Sequence, residues 1–260
     1  MRILNIAGYK FISLNYLSDL QPALLEQCRK HALSGTILLS HEGININLAG
    51  LPDDIHVFIT SLKQDKHFTD MRFHETWSDE IPFRKLKVKI KKEIITLRQS
   101  EVDAVSSRAA DISPGKLRDW LNENRDITLL DTRNDYEIRF GSFKNAKQLQ
   151  LHDFSELPAS LDAIPKDKPV VMFCTGGIRC EKAAIYMLNQ GYKDVYQLDG
   201  GILGYFQKIG GEHYEGECFV FDERVALDCN LLPAGVSQCK QCHGRIAQHQ
   251  QSCSGCSNTI

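Results

Sequence analysis

Apolar and polar positions divide the chain into stretches of different rhythm. Up to about residue 95, short alternating runs interleave with helical patterns. Ile3 to Ser13 is apolar and β-branched, which suits a strand. Ser18-Asp19 can cap a helix whose apolar positions include Leu24, Leu25, Cys28 and Leu33, with Gly35 ending it. Thr36-Ile37-Leu38-Leu39-Ser40 reads as a buried strand and Glu42-Gly43 as a turn. Ile44, Ile46 and Leu48 then alternate with Asn45, Asn47 and Ala49, which makes a hairpin. Pro52-Asp53-Asp54 opens a second helix through Val57, Phe58 and Leu62. The order β-α-β-β-α-β predicts a ferredoxin-like sandwich.

From Phe83 to Ile95 the alternation is sharper. Leu86, Val88 and Ile90 share one parity, while Lys85, Lys87, Lys89 and Lys91 share the other. In a strand these two sets face opposite ways. The lysines fit either a solubilising edge or a surface for phosphate backbones. Residues 96–111 are polar and weakly periodic and are read as a linker. Residues 112–211 resume strong patterning. Ser113-Pro114 starts a helix with Leu117, Trp120 and Leu121 on one face. Ile127–Leu130, Pro169–Phe173 and Asp194–Tyr196 read as buried parallel strands. Helical patterns at 135–140, 155–163, 179–189 and 201–208 surround them, so this domain is expected to be α/β. Residues 212–260 are rich in Cys and His and have little apolar periodicity. Phe219, Val220 and Phe221 are expected to pack this segment back on the earlier domains.

Composition adds limits. The 260 residues suit roughly two domains, and 42% hydrophobic with 25% charged residues is ordinary for a globular chain. A net charge of −2 excludes a histone-like polycation but not a local basic patch. No apolar run approaches a membrane span, and Met1 to Ile6 lacks the apolar core of a signal peptide. No membrane association and a cytoplasmic location are expected. The nine cysteines are then better read as thiols, metal ligands or catalytic groups than as disulfides.

The sharpest chemical feature is Cys174-Thr175-Gly176-Gly177-Ile178-Arg179-Cys180. It follows an apolar strand and opens a helix. Ligands bind at such strand ends, where backbone N–H groups and a helix N-terminus concentrate positive potential. Two glycines give the loop its freedom, and Arg179 adds a positive charge. Together they favour the Cys174 thiolate, the reactive form. Cys180 is read as a core residue rather than a resolving thiol.

These residues resemble the rhodanese family. Leu129-Leu130-Asp131-Thr132-Arg133, then Asp135-Tyr136-Glu137, then Gly141 to Ala146 match its first signature. Cys174 to Arg179 match its six-residue loop, and Leu198-Asp199-Gly200-Gly201-Ile202 its last signature. The resemblance implies that Cys174 is the nucleophile, able to carry a persulfide, with Arg179 beside it. Asp131 and Arg133 are expected to support the loop. Thr36 to Asn45, Phe83 to Lys89 and Gly216 to Ala226 are similar to a narrower group, the rhodanese-domain tRNA uridine(34) hydroxylases, formerly the uncharacterised UPF0176 family. That similarity implies an α+β N-terminal domain of ferredoxin-like (acylphosphatase-like) type over 1–95, a rhodanese domain over 112–211 and a Cys-rich segment over 212–260. It further implies oxygen-dependent hydroxylation of the wobble uridine, with molecular oxygen as co-substrate and the tRNA anticodon region as partner. It also favours RNA contact by Lys85, Lys87, Lys89 and Lys91. A sulfurtransferase acting through the same cysteine is the alternative. No flavin, haem or nicotinamide motif is visible.

Cys239-x2-Cys242 and Cys253-x2-Cys256 form two knuckles, and four thiolates suit a structural zinc ion. His243, His249 and Cys229 are alternative ligands, and Cys218 and Cys229 also fit as core residues.

Overall fold

The computed structural model describes residues 2–248 together with Gln250, Cys253 and Cys256. It divides into two compact units. The first runs through Thr96 and includes Ala104–Ser106. The second comprises Leu97–Asp103 and the chain from Ser107 onward.

In the first unit the elements follow as β1 (Ile3–Phe11), α1 (Leu17–Lys30), β2 (Ser34–Ser40), β3 (Gly43–Gly50), α2 (Pro52–Leu62), β4 (His74–Ser78) and β5 (Leu86–Ile90). The sheet order β4-β1-β3-β2 is that of a ferredoxin-like sandwich, and β5 extends it by pairing parallel to β2. Ile44, Ile46 and Leu48 of β3 are buried, packed with Leu20, Leu24 and Cys28 of α1 and Ile55 and Phe58 of α2. The period-2 pattern of β3 therefore meets the apolar stripes of both helices. Two features differ from the sequence expectation. β4 is an additional strand whose sequence, His-Glu-Thr-Trp-Ser, carries no apolar alternation. Its inward positions are the polar Thr76 and Ser78, and Asn5 Nδ2 donates to Ser78 Oγ at 2.9 Å. The lysine-bearing segment is thus a fifth, edge strand. The parity holds in part: Val88 is buried and Leu86 half-buried, but Ile90 at the strand end is 44% exposed; Lys87 and Lys89 are exposed, as are the flanking Lys85 and Lys91.

The second unit is built on five parallel strands: β6 (Ala110–Ile112), β7 (Thr128–Asp131), β9 (Lys147–Gln148), β10 (Val170–Phe173) and β11 (Val195–Leu198). Their order is β6-β11-β10-β7-β9, with β10 at the centre. Helices α3 (Pro114–Asn122), α4 (Asp135–Ile138), α5 (Leu157–Ser160), α6 (Ile178–Asn189) and α7 (Gly201–Ile209) connect them, and the short strand β8 (Gly141–Phe143) lies outside this sheet. Val170 to Phe173 are all buried, as expected of a central parallel strand. The stretch 96–111 is not simply a linker. Leu97, Val102 and Ala109 are buried, and β6 joins the sheet edge, where Asp111 hides the strand character.

The Cys-rich segment adds β12 (Tyr214–Gly216), which pairs with β8, and the hairpins β13 (Cys218–Phe219) with β14 (Ala226–Leu227) and β15 (Ser237–Gln238) with β16 (Arg245–Ile246). Tyr214, Cys218, Val220 and Leu227 join the core formed by Phe143, Phe173 and Tyr205. Phe219 and Val220 pack inward as expected. Phe221 does not, and remains 60% exposed. No helix among the described residues is long and apolar enough to cross a membrane.

Candidate active site

Cys174 follows the C-terminal end of β10, and its side chain is almost wholly buried at 1% exposure. The backbone N–H of Gly177 donates to its sulfur at 3.1 Å. The N–H of Arg179 and the Cys180 thiol also hydrogen-bond to it. Burial on its own would raise the Cys174 thiol. The Cys180 hydrogen bond, the Arg179 guanidinium and the two backbone donors outweigh that and bring it down to about 6. Cys180 moves the opposite way: burial and the neighbouring Cys174 hold it protonated as the donor.

The loop is held from both sides. Gly177, with φ of +101°, caps α6 in the left-handed region, whereas Gly176 takes no positive φ. Only one of the two loop glycines therefore meets the conformational need expected of both. From α7, the N–H groups of Ile202 and Leu203 donate to the carbonyls of Cys174 and Thr175, each at 3.0 Å. Gly201 lies so close beneath that a Cβ there would stand 2.5 Å from the Cys174 carbonyl oxygen.

Arg179 is not a free positive charge. Its guanidinium makes a bidentate pair with Glu137, at 2.5 and 2.7 Å, and both side chains are buried. Glu137 Oε1 also accepts the Asn134 N–H at 3.1 Å. Sequence reasoning included Glu137 in a signature but gave it no role. Its place three residues after Asn134 is also that of a helix-capping glutamate, so the sequence signal is ambiguous. Gly201 likewise lies within a signature whose residues do not by themselves show its contact with the loop.

Asp131 and Arg133 form a second fully buried pair, with Arg133 Nη2 2.6 Å from Asp131 Oδ2. Asp131 also accepts from Ser142 Oγ at 2.7 Å, and Arg133 donates to the Gly141 carbonyl at 2.7 Å. The Arg133 guanidinium lies 6.0 Å from the ring centroid of Phe173, the residue before Cys174. The pair thus ties the end of β7 to β8 and packs beneath the loop.

Reactivity of this thiolate has a pH signature. Alkylation of Cys174 by iodoacetamide, followed by mass spectrometry of its peptide, should rise as pH passes through about 6 and level off above pH 7. A midpoint near the ordinary thiol value, two or more pH units higher, would contradict the cradle.

The lysines expected to meet RNA lie on β5 and beside it in the first unit, all exposed. In the second unit the sulfurs of Cys239, Cys242, Cys253 and Cys256 lie within 4.8 Å of one another, an arrangement that can hold a metal ion. Cys239 Sγ and Cys256 Sγ are 3.6 Å apart, and Cys242 Sγ and Cys253 Sγ 3.4 Å. Tetrahedral zinc thiolate ligation needs sulfurs about 3.8 Å apart, so the donor set fits. Backbone N–H groups of Cys242 and Gln241 lower the Cys239 thiol to about 6, which favours the ligating form. Of the alternative ligands, Cys229 lies beside Gly211 and the His243 ring faces Tyr136. His249 lies outside the described residues. The cluster is anchored by Arg139, which donates to the Cys242 carbonyl at 2.7 Å, and by the Arg245–Glu217 pair.

Comparison with known proteins fits this division. Residues 3–94 match the UPF0176 acylphosphatase like domain, and residues 113–208 the Rhodanese-like domain. The tRNA uridine(34) hydroxylase of Ralstonia nicotianae is 46% identical over 259 residues, covering 96% of this chain and 92% of that protein. The tRNA uridine(34) hydroxylase of Xanthomonas axonopodis pv. citri is 46% identical over 237 residues, covering 88% and 96%. Among solved structures, a rhodanese-like domain protein from Staphylococcus aureus is 26% identical and matches 37% of this chain and 91% of its own, with a TM-score of 0.34. Both units, and not the thiol-bearing one alone, are shared with the curated relatives at this level, and the chain belongs to the tRNA uridine(34) hydroxylase family.

Proposed function

We propose that this protein hydroxylates the wobble uridine of tRNA, position 34, to 5-hydroxyuridine with molecular oxygen, and that the Cys174 thiolate is the reacting group. The observation that carries the reading is a buried thiol held as thiolate by backbone donors in a chain related to the hydroxylases along nearly its whole length. A sulfurtransferase would use the same cradle but has no use for the first unit.

Two chemical routes start from this sulfur. In one, the thiolate adds to C6 of uracil, which makes C5 nucleophilic towards oxygen; loss of the C5 proton and expulsion of the thiolate from C6 then restore the C5–C6 double bond. In the other, an oxidised form of Cys174 delivers the oxygen atom to C5. Either way the C5–H becomes C5–OH with one atom of molecular oxygen, the other leaves as water, and a reductant supplies two electrons while solvent supplies two protons. Arg179 orients the loop and supports the thiolate. Asp131 and Arg133 support the strand end. Thr175 to Ile178 supply the turn and its donors, and Cys180 keeps its proton and donates it as a hydrogen bond.

The tRNA backbone is placed on Lys85, Lys87, Lys89 and Lys91, whose exposure suits phosphate contact. Reversing two of them, Lys87→Glu with Lys89→Glu, should weaken tRNA binding about tenfold or more. The slope of log affinity against log salt should fall by about one per lost contact, as filter binding at several salt concentrations would show. An unchanged slope would remove these lysines from the interface.

Cys239, Cys242, Cys253 and Cys256 would hold zinc as a closed structural site. Elemental analysis of purified protein should find about one zinc per chain, lost in Cys253→Ser. Protein without zinc that retains full thermal stability would contradict this. A tRNA-modifying reaction suits a cytoplasmic location.

A further inference from the structure

Phe221 is the most exposed large apolar side chain among the described residues, at 60%. Exposure of a single apolar residue is ordinary. What sets Phe221 apart is its surroundings. The Arg179 guanidinium, whose charge favours the Cys174 thiolate, lies 5.8 Å from its ring centroid. Its ring also stands edge-on to Phe219, 5.3 Å between centroids, and Phe219 in turn packs on Tyr136 and Phe140. The segment is fastened to the loop itself, because Thr175 Oγ1 donates to the Phe219 carbonyl at 3.4 Å.

The turn that presents Phe221 is held by its own hydrogen bonds and an ion pair. Val220 N–H donates to the Val225 carbonyl at 2.9 Å and Val225 N–H to the Asp222 carbonyl at 3.0 Å. Asp222 and Arg224 make a bidentate pair at 2.6 and 2.8 Å, nearly buried. An aromatic ring is thus exposed to solvent by a hydrogen-bonded turn, against the charged group whose field favours the thiolate.

Enzymes that act on a base must lift it from its stack and give its ring a substitute face. Exposed aromatic side chains are the usual substitute, and they tolerate any planar base. We propose that Phe221 is the stacking platform for the target uracil, holding its ring against the loop with the C5–C6 edge towards Cys174. The inference rests on the hydroxylase reading and adds the residue that receives the base. The aromatic layer Tyr136–Phe219–Phe221 couples that platform to α4, whose Glu137 fixes Arg179. The base and the catalytic loop are therefore positioned by one packed unit.

The test uses full-length Phe221→Ala, Phe221→Leu and Phe221→Trp in cells lacking the native enzyme, at matched limiting protein levels. Nucleoside mass spectrometry of their tRNA gives the readout. Alanine and leucine should lower 5-hydroxyuridine formation by roughly 5- to 150-fold, the range spanned by stacking one base on one ring. Tryptophan should retain most of it, and Cys174 alkylation should be unchanged in all three. Leucine is apolar without a stacking face, so its failure separates base stacking from mere packing. As a readout independent of turnover, an anticodon stem-loop carrying 5-iodouridine at position 34 should photocross-link to the peptide containing Phe221. Wild-type levels of product in the alanine and leucine variants would overturn the proposal, as would a cross-link that maps elsewhere. If wild-type protein itself makes no 5-hydroxyuridine, the hydroxylase reading fails, and this inference with it.

Discussion

Cys174→Ser, supplied to cells that lack the native enzyme, is expected to leave position 34 of tRNA without 5-hydroxyuridine, a loss of about a thousandfold or more. The substitution changes one buried atom. The serine hydroxyl can still accept the Gly177 N–H, so the loop has no reason to collapse. What disappears is the thiolate. The cradle that brings a thiol to about 6 cannot ionise an alcohol near neutral pH. Both chemical routes begin from the ionised sulfur, so both stop. Circular dichroism and tRNA affinity should match wild type. Full hydroxylation by this variant would remove Cys174 from the chemistry altogether.

The second large effect lies in the buried pair behind the loop. Arg179→Met is expected to cost about 3–5 kcal/mol of stability, because it strands the fully buried Glu137 without its bidentate partner. The melting temperature should fall by on the order of 10 °C. Alkylation of Cys174 should also shift to higher pH, since the guanidinium that favours the thiolate is gone. Adding Glu137→Gln to Arg179→Met removes the stranded charge and should restore much of the stability. It should not restore the thiolate or the activity. This split is informative: a purely structural role for the pair predicts that stability and reactivity recover together in the double variant.

Much of the architecture is legible in the chain because its strands and helices obey their periods. The alternation of Ile44, Ile46 and Leu48 gives β3 directly, and the run Val170 to Phe173 gives the central parallel strand. Missed elements are those whose burial is polar or local. β4 turns Thr76 and Ser78 inward, and β6 is three residues long with a charged centre. The loop cysteine is evident from its glycine-rich turn and the helix that follows. Its partners are not, since Glu137 lies forty-two residues away and nothing local reveals that it clasps Arg179. Phe221 shows the same limit in reverse. Its sequence neighbours predict burial, yet the turn locked by Asp222 and Arg224 points it outward.

The source of the oxygen at C5 of uridine 34 tests the reaction most directly. Cells complemented with wild-type protein and grown under oxygen-18 gas should yield 5-hydroxyuridine two mass units heavier, and cells carrying Cys174→Ser should yield none. An unlabelled 5-hydroxyuridine that still depends on the protein would mean that the oxygen comes from water, and would contradict hydroxylation by molecular oxygen.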